Sequence, residues 1–342
     1  MAVSAAQDSQ EFEPILAFLR ASGLCGAGEI PSAEPLTGGV SSDIWKVELR
    51  SGSVCVKRAL ARLRVKQVWE APVGRNRFER LWMETAAAIV PGIAPRVLAA
   101  EESGIFAMEY LDPVSHPLWK VELAAGRASP AFAARMGESL VRIHSGTAGR
   151  GEIAERFATD ASFHAIRLEP YLLATARAHP GLAPRLEELA AITAATRLAL
   201  VHGDVSPKNI LCGPEGPVLL DAECAWYGDP AFDLAFCLNH LLLKGLWVPA
   251  ARERFLECFN AFSDNYLSGV TWEPRDTIEA RAAALLPGLL LARVDGKSPV
   301  EYLTEERDKD KVRIAGKLLL RNPVTHLTHV RDRWRTTLLE PS

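Results

Sequence analysis

The sequence predicts an α+β fold of two lobes, a small sheet-bearing lobe followed by a larger, mainly helical one. Three observations carry this. Short apolar runs with strand character crowd the first third, at residues 44–49, 54–57 and 105–111. After Asp112 the apolar spacing turns helical and stays so. The chain has 342 residues, more than the ~250–300 that one core usually serves. Strands first and helices after are the order of a segregated α+β protein, so the division is drawn at 1–111 and 112–342.

Taken in order, residues 1–13 hold no basic stretch followed by an apolar one, so no secretory signal is read. They are expected as a disordered lead into a helix over 11–24. Leu36-Thr37-Gly38-Gly39-Val40-Ser41-Ser42-Asp43 precedes the first strand. Its two glycines permit a tight turn and let backbone N–H groups approach an anion closely. In Val54-Cys55-Val56-Lys57, alternation puts Cys55 and Lys57 on one face and Val54 and Val56 on the other. A helix is expected over 74–89, with Phe78, Leu81, Trp82, Thr85 and Ile89 on one face and two acids, Glu79 and Glu84, flanking it. Ile105-Phe106-Ala107-Met108-Glu109-Tyr110-Leu111 reads as a strand running into a connector. Helices follow at 130–144, 163–178, 182–195, 232–244, 251–267, 277–294, 305–320 and 324–338.

The chemistry is concentrated between Leu200 and Leu234. Ile210-Leu211-Cys212 and Val218-Leu219-Leu220 are short strand-like runs, and Gly213-Pro214-Glu215-Gly216-Pro217 between them reads as a hairpin loop. With Cys212 facing Val218, Ile210 falls opposite Leu220 and Asn209 opposite Asp221. An amide oxygen and a carboxylate then emerge side by side, as a few hard oxygens should for magnesium that also takes phosphate and water. Asp204 lies on the loop entering the hairpin, where it could orient and deprotonate a hydroxyl. Glu223 would offer a further oxygen should a second metal bind. His202 reads as a histidine supporting the loop.

These residues carry a resemblance. Asp204 and Asn209 match the Asp-x-x-x-x-Asn catalytic loop of eukaryotic-type kinases. His202-Gly203 before them resembles the aminoglycoside phosphotransferase and choline kinase group, and Asp221-Ala222-Glu223 that group's Asp-x-Glu metal segment. Tyr227-Gly228-Asp229-Pro230-Ala231-Phe232-Asp233 is similar to the start of the helix that follows, whose second Asp, here Asp233, buttresses the loop. Val54-Cys55-Val56-Lys57 has the shape of the kinase Val-Ala-Ile-Lys strand. The segment 54–97 resembles methylthioribose kinases in Val56-Lys57-Arg58-Ala59-Leu60-Ala61-Arg62-Leu63-Arg64, Arg77-Phe78-Glu79 and Pro91-Gly92-Ile93-Ala94-Pro95-Arg96-Val97. By contrast, Ser206-Pro207-Lys208-Asn209 is closer to the choline kinase and protein-kinase form.

The resemblance implies a protein-kinase-like fold and an ATP- and Mg2+-dependent phosphotransferase acting on a small-molecule hydroxyl. It implies that Gly38, Gly39, Val40 and Ser41 cover the phosphates and that Cys55 lies over the adenine. Lys57 would hold the α and β phosphates and be paired by Glu79, with Glu84 as the alternative. Met108, Glu109 and Leu111 would form the hinge against the adenine edge. Asp204 would be the catalyst, and Asn209, Asp221 and Glu223 the metal ligands. The acceptor would lie near Trp226, Tyr227, Asn239, His240, Arg293 and Asp295. Candidate acceptors are a sugar such as methylthioribose, an amino alcohol or an aminoglycoside.

Composition limits the rest. A net charge of −3 with no block of like charge argues against nucleic acid as a partner. No apolar run is long enough to span a membrane, and six scattered cysteines without a Cys-x-x-Cys pair suit a reducing, cytoplasmic setting. A small hydroxyl compound is the expected partner, and a homodimer is compatible with the chain. Three rival readings are a silent nucleotide-binding protein of the same fold, a protein kinase and a hydrolase. The stretch from Asp221 to Asp233 leaves little room for a peptide-docking loop. Asp204, Ser206 and His202 are too crowded for a triad and lack the Gly-x-Ser-x-Gly elbow.

Overall fold

The computed structural model describes residues 2–36, 42–59 and 75–339, which fall into two compact units dividing between Asp112 and Pro113. Gly38, Gly39, Val40 and Ser41 lie outside the described residues, as does most of the basic stretch after Arg58.

The first unit is a helix on a sheet. Helix α1 (Ala2–Ala21) is followed by β1 (Ser32–Pro35), β2 (Ser42–Leu49), β3 (Gly52–Ala59), α2 (Arg75–Ile89), β4 (Val97–Ala100) and β5 (Ile105–Glu109). The five strands form one antiparallel sheet in the order β1-β2-β3-β5-β4. Ile15, Phe18 and Leu19 of α1 pack on the sheet face made by Trp45, Val47, Val54, Val56, Ile105 and Ala107. Period two sends Cys55 and Lys57 to the opposite face. The lead expected as disordered is helical from Ala2, so α1 starts well before residue 11.

The predicted face of α2 is corrected. The buried positions are Asn76, Glu79, Trp82, Met83, Ala86 and Val90, whereas Phe78, Leu81, Thr85 and Ile89 are half-buried. The inward face is no plain apolar stripe, because two polar residues, Asn76 and Glu79, occupy it, each with a partner there. Asn76 receives the Ser42 hydroxyl at 3.2 Å and donates to the Gly104 carbonyl at 3.0 Å, pinning the helix start to the sheet.

The second unit is helical apart from two strand pairs. It runs α3 (Trp119–Ala124), α4 (Pro130–Thr147), α5 (Gly151–Arg156), α6 (Asp160–Phe163), a π-helical stretch (His164–Leu173), α7 (Ala174–Ala178) and α8 (Ala183–Ala195). Strands β6 (Ala199–Val201), β7 (Ile210–Cys212), β8 (Pro217–Leu219) and β9 (Trp226–Gly228) follow. Helices α9 (Pro230–Trp247), α10 (Arg252–Ser268), α11 (Arg275–Asp295), α12 (Glu306–Arg321) and α13 (Leu327–Leu339) complete it. Helix α9 is the axis of the core, buried from Pro230 to Leu246. Asp229 caps it, accepting the Ala231 N–H at 3.0 Å, and Pro230 fits the first turn, where no N–H is needed. The expected sheet unit followed by a helical one is therefore present. No single helix among the described residues is long and apolar enough to cross a membrane, and the consecutive α9 and α10 are bent apart by 117°.

The hairpin differs from expectation by one residue. Ile210 faces Leu219, Leu211 faces Val218 and Cys212 faces Pro217. Gly213 and Gly216 close the turn by mutual hydrogen bonds of 2.9 and 3.2 Å, leaving Pro214 and Glu215 at its tip. The tighter turn draws Pro217 into the strand and slips the register. Asn209 consequently faces Leu220, whose N–H it receives at 2.8 Å, and Asp221 is the next residue out.

Candidate active site

In the first unit, β3 delivers Lys57 to the face away from α1, and the anchored α2 turns Glu79 toward it. Lys57 Nζ and Glu79 Oε2 are 2.7 Å apart, with side chains 3% and 1% exposed. Glu84 instead pairs with Arg80 at 2.7 Å on the outer face. Cys55 stands directly opposite Met108 on β5, and burial pushes its thiol up to about 12, so it is a neutral apolar contact. Glu109 ends β5; its carboxylate accepts the Arg96 N–H at 3.1 Å, and Leu111 lies half-buried just beyond.

In the second unit the loop carrying His202, Gly203 and Asp204 hangs between β6 and β7 and is held from beneath by α9. Asp233, fully buried, accepts the His202 N–H at 2.7 Å and the Gly203 N–H at 2.8 Å. This is the buttress expected of it. His144 Nε2 approaches Asp233 at 3.3 Å, and its Nδ1 lies 2.7 Å from the Tyr266 hydroxyl. Burial raises the Tyr266 pKa well up, so the phenol keeps its proton. It donates to Nδ1, and Nε2–H then points at the aspartate. Gly203 has φ +79°, and a Cβ there would meet the Cys224 carbonyl at 2.7 Å, so glycine is required on both counts.

His202 ties the loop to the end of the hairpin. Its Nδ1 accepts the Asp204 N–H at 3.1 Å, so Nε2 carries the proton and donates to the Leu220 carbonyl at 3.1 Å. Burial, opposed by the charge of Asp233, pushes its pKa down, which keeps the ring neutral as this bonding requires.

Asn209 donates from Nδ2 to the Asp204 carbonyl at 3.2 Å, which orients its Oδ1 as the available acceptor. Asp221 has φ +64°, the sole positive value at a non-glycine among the described residues. Left-handed backbone costs most residues ~1–2 kcal/mol, and aspartate tolerates it better than most. Glu223 is half-buried two residues on. No group of three His, Cys, Asp or Glu side chains arranged for a metal occurs among the described residues. Asn209, Asp221 and Glu223 would offer an amide oxygen and two carboxylates, a donor set that suits Mg2+ completed by phosphate and water.

Asp204 is the electrostatic centre. It is 5% exposed, with Oδ2 at 3.0 Å from Arg167 Nη2 and 3.2 Å from Lys208 Nζ. Burial would raise the carboxyl, but the charges of Lys208 and Arg167 outweigh it and hold the group well below the usual carboxylate range. Arg167 comes from the π-helical stretch; its Nε donates to the Gly203 carbonyl and its Nη1 to Ile166 at 2.7 Å. Pro170 has no N–H for the helical ladder, and the turns around it follow the wider π pattern, often a mark of functional sites.

Some expected neighbours are elsewhere. Trp226 stacks on Phe163 at 4.2 Å and donates to Asp160, while the Tyr227 hydroxyl donates to the Leu198 carbonyl at 2.9 Å; both are core residues. Asp295 pairs with Arg313 at 2.8 Å and His179 at 2.8 Å and has no bond to Arg293. Arg167, His144 and Tyr266 were missed from the sequence. They lie far along the chain from the loop, and no local spacing marks them. Lys208 carried a signal, since it stands one residue before Asn209 and four after Asp204.

Comparison with known proteins gives the family and the fold. The residues match the pattern of a phosphotransferase over 32–256. The chain belongs to the phosphotransferase enzyme family, and its class is that of the small-molecule kinases. A methylthioribose kinase of Pectobacterium atrosepticum is 26% identical over 279 residues, spanning 69% of each chain. One of Enterobacter sp. (strain 638) is 24% identical over 312 residues, covering 78% of this chain and 75% of its own. Among solved structures, a choline kinase from Cryptosporidium parvum covers 94% of this chain and 99% of its own, with a TM-score of 0.56 and 13% identity. An amicoumacin kinase in complex with AMP-PNP and Ca2+ covers 86% of this chain and 90% of its own, with a TM-score of 0.55 and 13% identity. These likenesses show the protein-kinase-like fold.

Proposed function

We propose that this protein transfers the γ-phosphate of ATP to a hydroxyl of a small molecule, with Mg2+ as the metal. The first unit supplies the nucleotide contacts. Lys57 neutralises the α and β phosphates and Glu79 holds it in place. Cys55 covers the adenine, Met108, Glu109 and Leu111 offer backbone groups to its edge, and Gly38, Gly39, Val40 and Ser41 cover the phosphates. The second unit supplies the chemistry. Asn209 and Asp221 hold Mg2+, with Glu223 a ligand for a second ion, and the metal would offset charge on the phosphates.

Asp204 orients the acceptor hydroxyl. As its oxygen bonds to the γ-phosphorus, the bond to the bridging oxygen breaks and ADP leaves; the hydroxyl proton passes to Asp204. A carboxylate held ionised by two cations is a weak base. Its contribution is therefore alignment, with proton transfer late in the step, as suits a phosphoryl transfer that depends on positioning and charge. The observation that carries this reading is the Asp204 carboxylate fixed between Arg167 and Lys208 on a loop whose Asn209 amide is oriented by the Asp204 carbonyl. The relatives' names favour a sugar as the acceptor class, and amino alcohols and aminoglycosides are the alternatives.

The test is coupled ADP release with Mg2+ and ATP across methylthioribose, other pentoses, choline, ethanolamine, homoserine and aminoglycosides, with Asp204→Ala as the blank. Acceptor-dependent release that falls roughly 10³-fold in the variant is expected. Equal release by both proteins would sink the assignment.

A further inference from the structure

Helix α9 carries a row of side chains away from the loop it supports. After Asp233, the residues Phe236, His240 and Lys244 recur at helical spacing on one face. Arg167, which grips Asp204, lies over the Phe236 ring at 5.8 Å and over the Tyr171 ring at 5.9 Å. Arg293 of α11 lies over the same Tyr171 ring at 5.5 Å. The Phe236 and His240 rings meet at 5.4 Å, and Lys244 Nζ stands 4.3 Å from the Tyr302 ring and 4.9 Å from that of Trp247. Tyr171 and Phe236 thus link Arg167, which holds Asp204, to Arg293 and His240, and a separate ring pair, Trp247 and Tyr302, flanks Lys244 one helical turn beyond His240.

These groups are buried and short of partners. Lys244, His240 and Arg293 are 1%, 6% and 9% exposed. Lys244 Nζ, His240 Nδ1, Arg293 Nε and the Tyr302 hydroxyl have no hydrogen-bond partner among the described residues. Arg293 Nη1 donates to neutral oxygens only, the Tyr171 hydroxyl at 3.2 Å, the Ser298 hydroxyl at 3.0 Å and the Ser298 carbonyl. The acid whose charge reaches both Lys244 and Arg293 is Glu301, which is exposed and already bonded to Lys120. Burial pushes Lys244 down to about 8, a mark of a charge with too little compensation. Burying a cation without an acceptor is strongly unfavourable. A bound anion would supply what is missing.

We propose that the acceptor of this kinase carries an anionic group, a carboxylate or a phosphate, bound by Arg293, His240 and Lys244 while its hydroxyl meets Asp204. The proposal rests on reading Asp204 as the acceptor-orienting residue. Acceptors whose far end is cationic would meet like charge here and be disfavoured.

The test pairs matched compounds, gluconate against glucose and ribose 5-phosphate against ribose, so that the carboxylate and phosphate arms are separate. Thermal-shift titrations of the full chain are run on wild type, Lys244→Met and Arg293→Gln, with Mg2+·AMP-PNP binding as the control. Lys244→Met keeps the apolar stem and removes a buried charge, so its melting temperature is expected to be no lower than wild type. One anion should stabilise the wild type where its neutral partner does not. Its affinity should drop about tenfold or more in Lys244→Met, the worth of one charge-assisted contact, with nucleotide affinity unchanged. No shift with either anion, equal shifts with the neutral partners, or undiminished affinity in both variants would overturn the proposal. Turnover of ribose, choline or an aminoglycoside with both anions inert would overturn it while leaving the kinase reading intact. Anion binding as described, without ADP release from Mg2+·ATP, would support the anion site and count against the kinase reading.

Discussion

At the scale of the residue, the account turns on one carboxylate. Asp204 sits between Arg167 and Lys208 at 3.0 and 3.2 Å, and their charges keep it ionised against the effect of burial. Protonation would remove its hold on the acceptor hydroxyl. With its pKa depressed, that loss is postponed to acid well below the ordinary aspartate value of ~3.9. The acid limb of kcat/KM should therefore show no carboxylate titration near pH 4–5, a range set by ordinary carboxylates. Lys208→Met removes the leading stabilising charge, so the Asp204 pKa rises and the acid limb moves up in pH. A limb that stays in place in Lys208→Met would show that this carboxylate does not govern it. Asp204 was legible in the sequence, and Lys208, four residues on, carried a local signal that the spacing alone did not assign. Arg167 was not legible, because it meets the loop through tertiary packing and stands in a helix whose π pattern has no period of its own to read.

At the scale of the element, α2 and the hairpin show what spacing reveals and what it hides. The helix and its length follow from the sequence, but its inward face was assigned to Phe78 and Leu81. A face that buries an ion pair does not look apolar, so Glu79 and Asn76 were invisible as core positions even though Glu79 was favoured as the partner of Lys57. The pair is nearly dry, at 3% and 1% exposure. Removing one member strands a buried charge, which typically costs ~3–5 kcal/mol. Glu79→Ala should lower the free energy of unfolding by that amount in urea, and Lys57→Met with Glu79→Leu should recover much of it. A single-variant loss below about 1 kcal/mol would place the pair in a wetter setting than described. In the hairpin, the strands were legible and the register was not. Gly213 and Gly216 close a shorter turn than the Gly-Pro-Glu-Gly-Pro string suggests, and one residue of slip moves Asn209 from Asp221 to Leu220.

At the scale of the whole molecule, the order of strands then helices came through because periodicities of two and of about 3.6 are written in the chain. The early start of α1 did not, since its first turns, Ala2-Val3-Ser4-Ala5-Ala6 and Gln7-Asp8-Ser9-Gln10, carry no bulky apolar stripe. Two buried histidines, His202 and His240, have their pKa values pushed down by burial. Folded, they are neutral where the unfolded chain, with histidine near ~6.5, already binds protons. The unfolded state then binds more protons, so stability rises with pH through that range and is complete above it. Unfolding free energy should fall as pH drops below ~6.5, with a slope of up to about 1.4 kcal/mol per pH unit for each histidine. His240→Gln should flatten the curve, and an unchanged slope would assign the dependence to other groups.

The central claim, that Asp221 serves the metal while Asp204 serves the acceptor, is tested most directly by calorimetry of AMP-PNP binding with and without Mg2+. Wild type and Asp204→Ala should both bind more tightly when Mg2+ is present, and Asp221→Ala should lose that gain. A metal-dependent gain retained in Asp221→Ala, or lost in Asp204→Ala, would contradict the division of roles.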